Sequence, residues 1–249
     1  MTLSYHPPVD RLLRLGAEPA SRRVWPDYRN LGLSARHVPE LVCMATDAAL
    51  LTAEEKEAAR WAPLHAWRAL GQLQAPAAVA PLLTLLERAW EDVAVYDEIP
   101  IVLGMIGAPA LPGATLWLFD EDRDERLRVA AARILAEVGH AYPERRDEAA
   151  AVLTQQLQDW QHQSPVLNAF LIAFLVELQE VAAAPLMEAA YAARAVDVSV
   201  FGDWEDVQVD LGLLEERLTD PEPARRAAAS PKSKRKAEKQ ARKRNRKRK

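Results

Sequence analysis

The chain has 249 residues, 49% hydrophobic and 27% charged, with nine Gly, 17 Pro and a single Cys. Those counts allow a sizeable apolar core and exclude a collagen, a disulfide scaffold and a wholly disordered chain. The formal charge of −4 is the sum of two opposed parts: residues 231–249 hold 12 Lys or Arg and one Glu, giving +11, whereas residues 1–230 carry −15.

In chain order, residues 9–15 pattern as a short amphipathic helix closed by Gly16. Trp25-Pro26-Asp27-Tyr28 reads as an ordered turn, and a helix is expected over 37–45, starting near Ser34 or Ala35. The opening MTLSYHPPVDRLLRLG has no apolar run before a cleavage site, so secretion is not expected. Cys43, in the apolar run Leu41-Val42-Cys43-Met44, is expected to be a buried small hydrophobe, which fits a reducing, cytoplasmic setting. Residues 1–60 together read as an N-terminal helical cap.

From residue 61 the apolar spacing is helical and recurs. In the first unit, residues 61–89, Leu64, Trp67, Leu70 and Leu73 fall near one helix face. A turn follows at Gln74-Ala75-Pro76, and a second helix carries Val79, Leu82, Leu83, Leu85 and Leu86. Further units start at Ile101, Arg128 and Leu167. Leu70, Leu103, Leu135 and Leu175 align between units, a period of roughly 30–40 residues that falls in the range of helical-repeat proteins. Pro81, Pro112 and Pro185 each follow the aligned Leu of their unit at a similar distance, where a first-turn proline costs little. Residues 99–119 carry no charge, a run as long as a membrane span, but their prolines and glycines predict two short buried helices around Gly107-Ala108-Pro109 instead. FDEDRDER, residues 119–126, lacks the Gly and Glu of a calcium loop and reads as a solvated connection whose acids start the next helix.

The segments ALGQLQAPAAVAPLLTLL and RVAAARILAEVG resemble HEAT repeats, and specifically the short repeats of the phycobilisome-lyase-like subclass. The resemblance covers about residues 60–195. It implies an all-α fold, an α-solenoid of stacked antiparallel helix pairs over residues 61–200. It does not imply lyase chemistry. The whole layout, with its PPVDRLLRLG opening, HVPELVCMATD helix and GDWEDVQVDLGL ending, resembles bacterial HEAT-repeat proteins of unassigned role. Residues 201–219 are expected to form an acidic C-terminal cap, since a terminal repeat needs a polar outer face. Residues 220–249 are expected to be a disordered linker and basic tail, because 231–249 contain no hydrophobic residue larger than Ala.

No local motif supports catalysis. The five His include no i,i+3 or i,i+4 pair, and HExxH, CxxC, GxSxG, GxxxxGK[ST] and GxGxxG are all missing. No cofactor, metal or enzymatic activity is expected. His65 is expected to be a partly buried ring with a satisfied hydrogen bond. A solenoid glycosylase for alkylated DNA is the enzymatic alternative, but it needs a basic groove and this body is acidic.

Two functional surfaces remain. The first is the tail: Lys232, Lys234, Arg235, Lys236, Lys239, Arg242, Lys243, Arg244, Arg246, Lys247, Arg248 and Lys249. The body has one Lys against 19 Arg, whereas the tail has seven Lys, so the tail has its own requirement for charge. It suits non-specific contact with RNA, the ribosome or DNA. Alternatives are an inert solubilising extension, an anionic membrane surface, or docking onto the chain's own acidic body. The second surface is an acidic face for a basic protein partner: Asp92, Tyr96, Asp97 and Glu98 near Trp90, and Asp203, Trp204, Glu205 and Asp206. The bland alternative there is ordinary surface acids beside packed Trp residues.

Overall fold

The structure, a computed structural model, describes residues 4–17, 25–54 and 57–220. Among them the secondary structure is helical, with no strand. The expected linker and tail lie outside the described residues from 221 onward. The chain divides into two compact units, Met1–Asp159 and Trp160–Lys249.

The first unit holds α1 (Val38–Ala45), α2 (Ala48–Leu51), α3 (Ala62–Gln72), α4 (Val79–Ala89), α5 (Val93–Ile106), α6 (Leu111–Phe119), α7 (Glu125–Ala141) and α8 (Arg146–Leu157). Here α3 packs against α1 and α5, and α5 packs against α3 and α7. The intervening α4 and α6 lie on α5 and α7, respectively, and α8 lies on α7. The second unit holds α9 (Pro165–Glu177), α10 (Ala184–Ala192) and α11 (Trp204–Asp210).

The helix starts follow simple chemistry. Asp47, Asp92, Asp124, Ser164 and Asp203 each stand at the N-cap and accept a hydrogen bond from a first-turn amide. Asp124 is the acid of FDEDRDER that opens α7. Pro81, Pro112 and Pro185 fall in the first turns of α4, α6 and α10. The long uncharged stretch is interrupted at Gly107, whose φ of +86° and ψ of −140° suit only glycine, and α5 and α6 lie on either side. Pro100 does not break the chain: α5 runs through it. No helix among the described residues is long and apolar enough to cross a membrane.

Four helices end in the same way. After α3, α9, α10 and α11 a residue takes left-handed φ: Gln74 (50°), Gln179 (57°), Arg194 (56°) and Gly212 (70°). In each case the following amide reaches back five residues, as from Ala75 to the Leu70 carbonyl (3.1 Å) and from Glu180 to Leu175 (2.9 Å). The left-handed residue itself bonds three residues back, at 2.9 Å for both Gln74 and Arg194. This double closure satisfies carbonyls that a helix end leaves open. Glycine fills the position once; elsewhere the chain accepts the strain of a β-carbon there.

One expectation needs correction here. Cys43 is exposed, not buried. The core side of α1 is taken by Leu41, Met44 and Ala45, and a helix turns each neighbouring position away by about 100°. The short helix expected over residues 9–15 is a 3₁₀ helix, Val9–Arg14, with Val9 and Leu12 buried and Arg11 and Arg14 exposed, and Gly16 follows it in left-handed φ (+72°).

Candidate functional site

The helix α3 is buried along nearly its whole length, and this brings polar side chains inside. His65 is fully rather than partly buried; its Nε2 donates to the Gly16 carbonyl (2.9 Å), which leaves Nδ1 of the neutral ring to accept from the Tyr28 hydroxyl (2.7 Å). Arg68, only 1% exposed, forks onto Glu98 through Nε (2.7 Å) and Nη2 (2.5 Å), with its guanidinium 5.0 Å from the Trp25 ring centre. Burial opposes the Arg68 charge, but Glu98 outweighs it and holds the guanidinium above its ordinary range. These contacts fasten the N-terminal segments to α3. They bring no reacting groups to a surface.

The first expected acidic group splits in two. Asp92 caps α5 through Oδ1 and pairs with Arg60 through Oδ2 (3.2 Å). Glu98 also accepts from Trp67 Nε1 (3.2 Å). Both acids therefore face α3 and the 3₁₀ turn before it. Tyr96 and Asp97 face the other neighbour, α7. The Tyr96 hydroxyl donates to the Arg126 carbonyl (3.1 Å), and Asp97 lies 3.8 Å from Arg133. Burial pushes the Tyr96 hydroxyl above its ordinary pKa. Trp90 is covered by the Arg126 guanidinium, 4.7 Å from the ring centre. A hollow of about 280 Å³ beside Asp92 is walled by Trp61, Trp67 and Val93, which is 73% exposed.

The second group does converge, on one cation. Arg217 donates to both oxygens of Asp203 (2.6 and 2.7 Å), lies 2.8 Å from Asp206 and 3.8 Å from Glu205. Glu205 accepts in addition from the amides of Leu218 (3.2 Å) and Thr219 (3.0 Å). The Arg217 guanidinium holds the Asp203 carboxyl down at about 2, against an ordinary 3.8. The sequence reading missed this partner because Arg217 stands 14 residues from Asp203. Trp204, at the start of α11, packs at a tilt on Tyr191 with ring centres 6.0 Å apart.

Those two rings border a cleft of about 790 Å³ in the second unit. Val196 and Val198 line it with them, and Glu188, Arg194, Asp203, Thr219 and Asp220 supply polar groups. The volume is of the size that holds a ligand or a few side chains. Sequence reasoning placed Trp204 and Asp203 at a surface but did not see this cleft, since its walls come from α10, the turn after it and the N-terminus of α11. Among the described residues, no three His, Cys, Asp or Glu side chains are grouped to hold a metal ion. The twelve tail residues lie outside the described residues.

No family model matches this chain, and no curated protein or solved structure does.

Proposed function

We propose that the chain is a non-enzymatic cytoplasmic scaffold of HEAT-like helix pairs, stacked as an α-solenoid, whose polybasic tail contacts RNA, the ribosome or DNA without base selectivity. The serial packing of α1, α3, α5 and α7 supports the repeat reading, as does the shared closure of four helix ends. The lone exposed thiol of Cys43 fits a reducing compartment.

The observation that carries the functional reading is the way charge is spent. Asp92, Asp97 and Glu98 are engaged by Arg60, Arg133 and Arg68, and Asp203 and Asp206 by Arg217. A basic partner at those carboxylates has to displace existing pairs, which disfavours the acidic-face adaptor. The tail, residues 231–249, concentrates 12 cations with one acid among them. Phosphate backbones answer that pattern, and the absence of aromatics there gives nothing to stack on bases.

The test is fluorescence anisotropy of a fluorescein-labelled 20-nucleotide RNA of mixed sequence, titrated at low salt with the full chain. The comparison is a variant with all twelve tail cations changed to Gln. The expected result is binding by the full chain and a loss of about a hundredfold or more in the variant. Equal binding by both proteins overturns the reading.

A further inference from the structure

We propose that the cleft of the second unit is a seat for a Lys/Arg-rich segment, and that its occupant is the chain's own tail, residues 231–249. This rests on the reading of the tail as the molecule's contact element, and it adds an intramolecular competitor for the tail's partners.

The cleft matches such a segment on three counts. Its walls carry the Tyr191 and Trp204 rings beside Val196 and Val198. Ring faces attract ammonium and guanidinium groups, and apolar walls accept the aliphatic stems of Lys and Arg. Its lining carries Glu188, Asp203 and Asp220 against one cation, Arg194, in a stretch, 184–220, with nine acidic residues and two arginines, a net −7. The tail is +11. Arg217 already serves Asp203, so the cations are received first by Glu188, exposed at the end of the cleft nearest α10, and not by the carboxylates of the α11 start.

Reach is the third count. Asp220 lines the cleft, and the first tail lysine, Lys232, follows twelve residues later. A chain of that length spans at most about 40 Å. A tether so short holds its far end at roughly millimolar effective concentration around its anchor. A basic segment on another molecule needs a much higher free concentration to compete. Nucleic acid must then draw the tail out of the cleft before it binds.

The experiment is zero-length carbodiimide cross-linking of the full chain at low salt, with the monomer band digested and read by mass spectrometry. Seven of the eight lysines lie in the tail, so an amide between Glu188 and a lysine reports tail docking almost uniquely. The expected result is Glu188 joined to tail lysines and that product lost in about 0.5 M NaCl, a concentration that screens ion pairs within a few ångströms. A Val198→Arg variant, which adds a cation at the exposed cleft wall, is expected to lower the product at least fivefold with an unchanged circular dichroism spectrum. Cross-links spread evenly over exposed acids such as Glu144 and Glu148, or undiminished in Val198→Arg, overturn the proposal. Adding the 20-nucleotide RNA separates it from the function proposed above. RNA that binds and clears the Glu188 product supports both. RNA that binds and leaves the product intact overturns the docking. A salt-sensitive, Val198-dependent product in a chain that fails to bind RNA keeps the docking and overturns the nucleic-acid reading.

Discussion

Asn168 is the one polar residue in the apolar run of α9, and it is fully buried. Its Nδ2 donates to the carbonyls of Trp160 (2.9 Å) and Ala195 (2.7 Å), while Oδ1 accepts from Gln163 (2.7 Å). One amide thus ties the chain before α9 to the turn after α10, whose residues Val196 and Val198 wall the cleft. Asn168→Ala strips partners from two carbonyls, and each orphaned buried group costs about 1–3 kcal/mol. The expected loss is about 3 kcal/mol in denaturant unfolding, allowing for some rehydration. Asn168→Asp keeps the shape but replaces the donating amide with a second acceptor, so it is expected to be at least as damaging. A loss under about 0.5 kcal/mol in both variants, the size of an ordinary surface substitution, contradicts the tie. A polar residue in such a run was visible in the sequence; its partners, up to 27 residues away, were not.

At the scale of elements, the contact of α5 with α7 depends on a missing methyl. A β-carbon built on Gly104 falls 2.4 Å from Glu137 Cβ and 3.0 Å from its carbonyl carbon. Both are backbone or next to it, so the two helices must move apart. Gly→Ala inside a solvated helix stabilises by about 1 kcal/mol; here overpacking reverses the sign, and Gly104→Ala is expected to destabilise by about 1–3 kcal/mol. Gly71→Ala in α3 is the control. Its new methyl meets Met105 Sδ and Val102 Cγ1 at 3.3 Å, and a flexible thioether can yield. Thermal unfolding of both variants checks the contrast, and a stabilised Gly104→Ala contradicts it.

Signals that act within a turn or two were legible in the sequence, and those set by distant packing were not. Periodic leucines and the prolines at 81, 112 and 185 mark helices and their starts because these signals act within one or two turns. The break at Gly107 was legible for the same reason. Left-handed Gln74, Gln179 and Arg194 were not, since nothing local distinguishes them from helical residues and only the surrounding packing selects that conformation. Close approach at Gly104 is likewise decided by Glu137, which belongs to a different helix. Asp92 and Glu98 turn to one neighbour of α5 and Asp97 to the other for a related reason. The arginine partners of these three acids lie 30 or more residues off, on neighbouring elements, and which neighbour each acid turns to depends on its position around α5.

For the whole molecule, the governing quantity is the opposition of a −15 body and a +11 tail. A net charge of that sign repels phosphate, so on the function proposed above the salt dependence of nucleic-acid binding is expected to come from the tail, its release from the chain's own acidic cleft included. Each phosphate neutralised on a single strand adds about −0.7 to the slope of log K against log salt. Changing six of the twelve tail cations to Gln removes up to six contacts, so the slope is expected to become shallower by up to about 4. The position of the six is expected to matter little, because binding without fixed geometry reads charge and not order. Two variants with alternate halves of the set removed, measured by anisotropy between about 50 and 300 mM salt, decide this. Equal shallowing in both is the expected result. A slope unchanged from the parent chain places the contacts on the body, and strongly unequal slopes give the tail a fixed seat on the nucleic acid; either result contradicts a purely electrostatic tail.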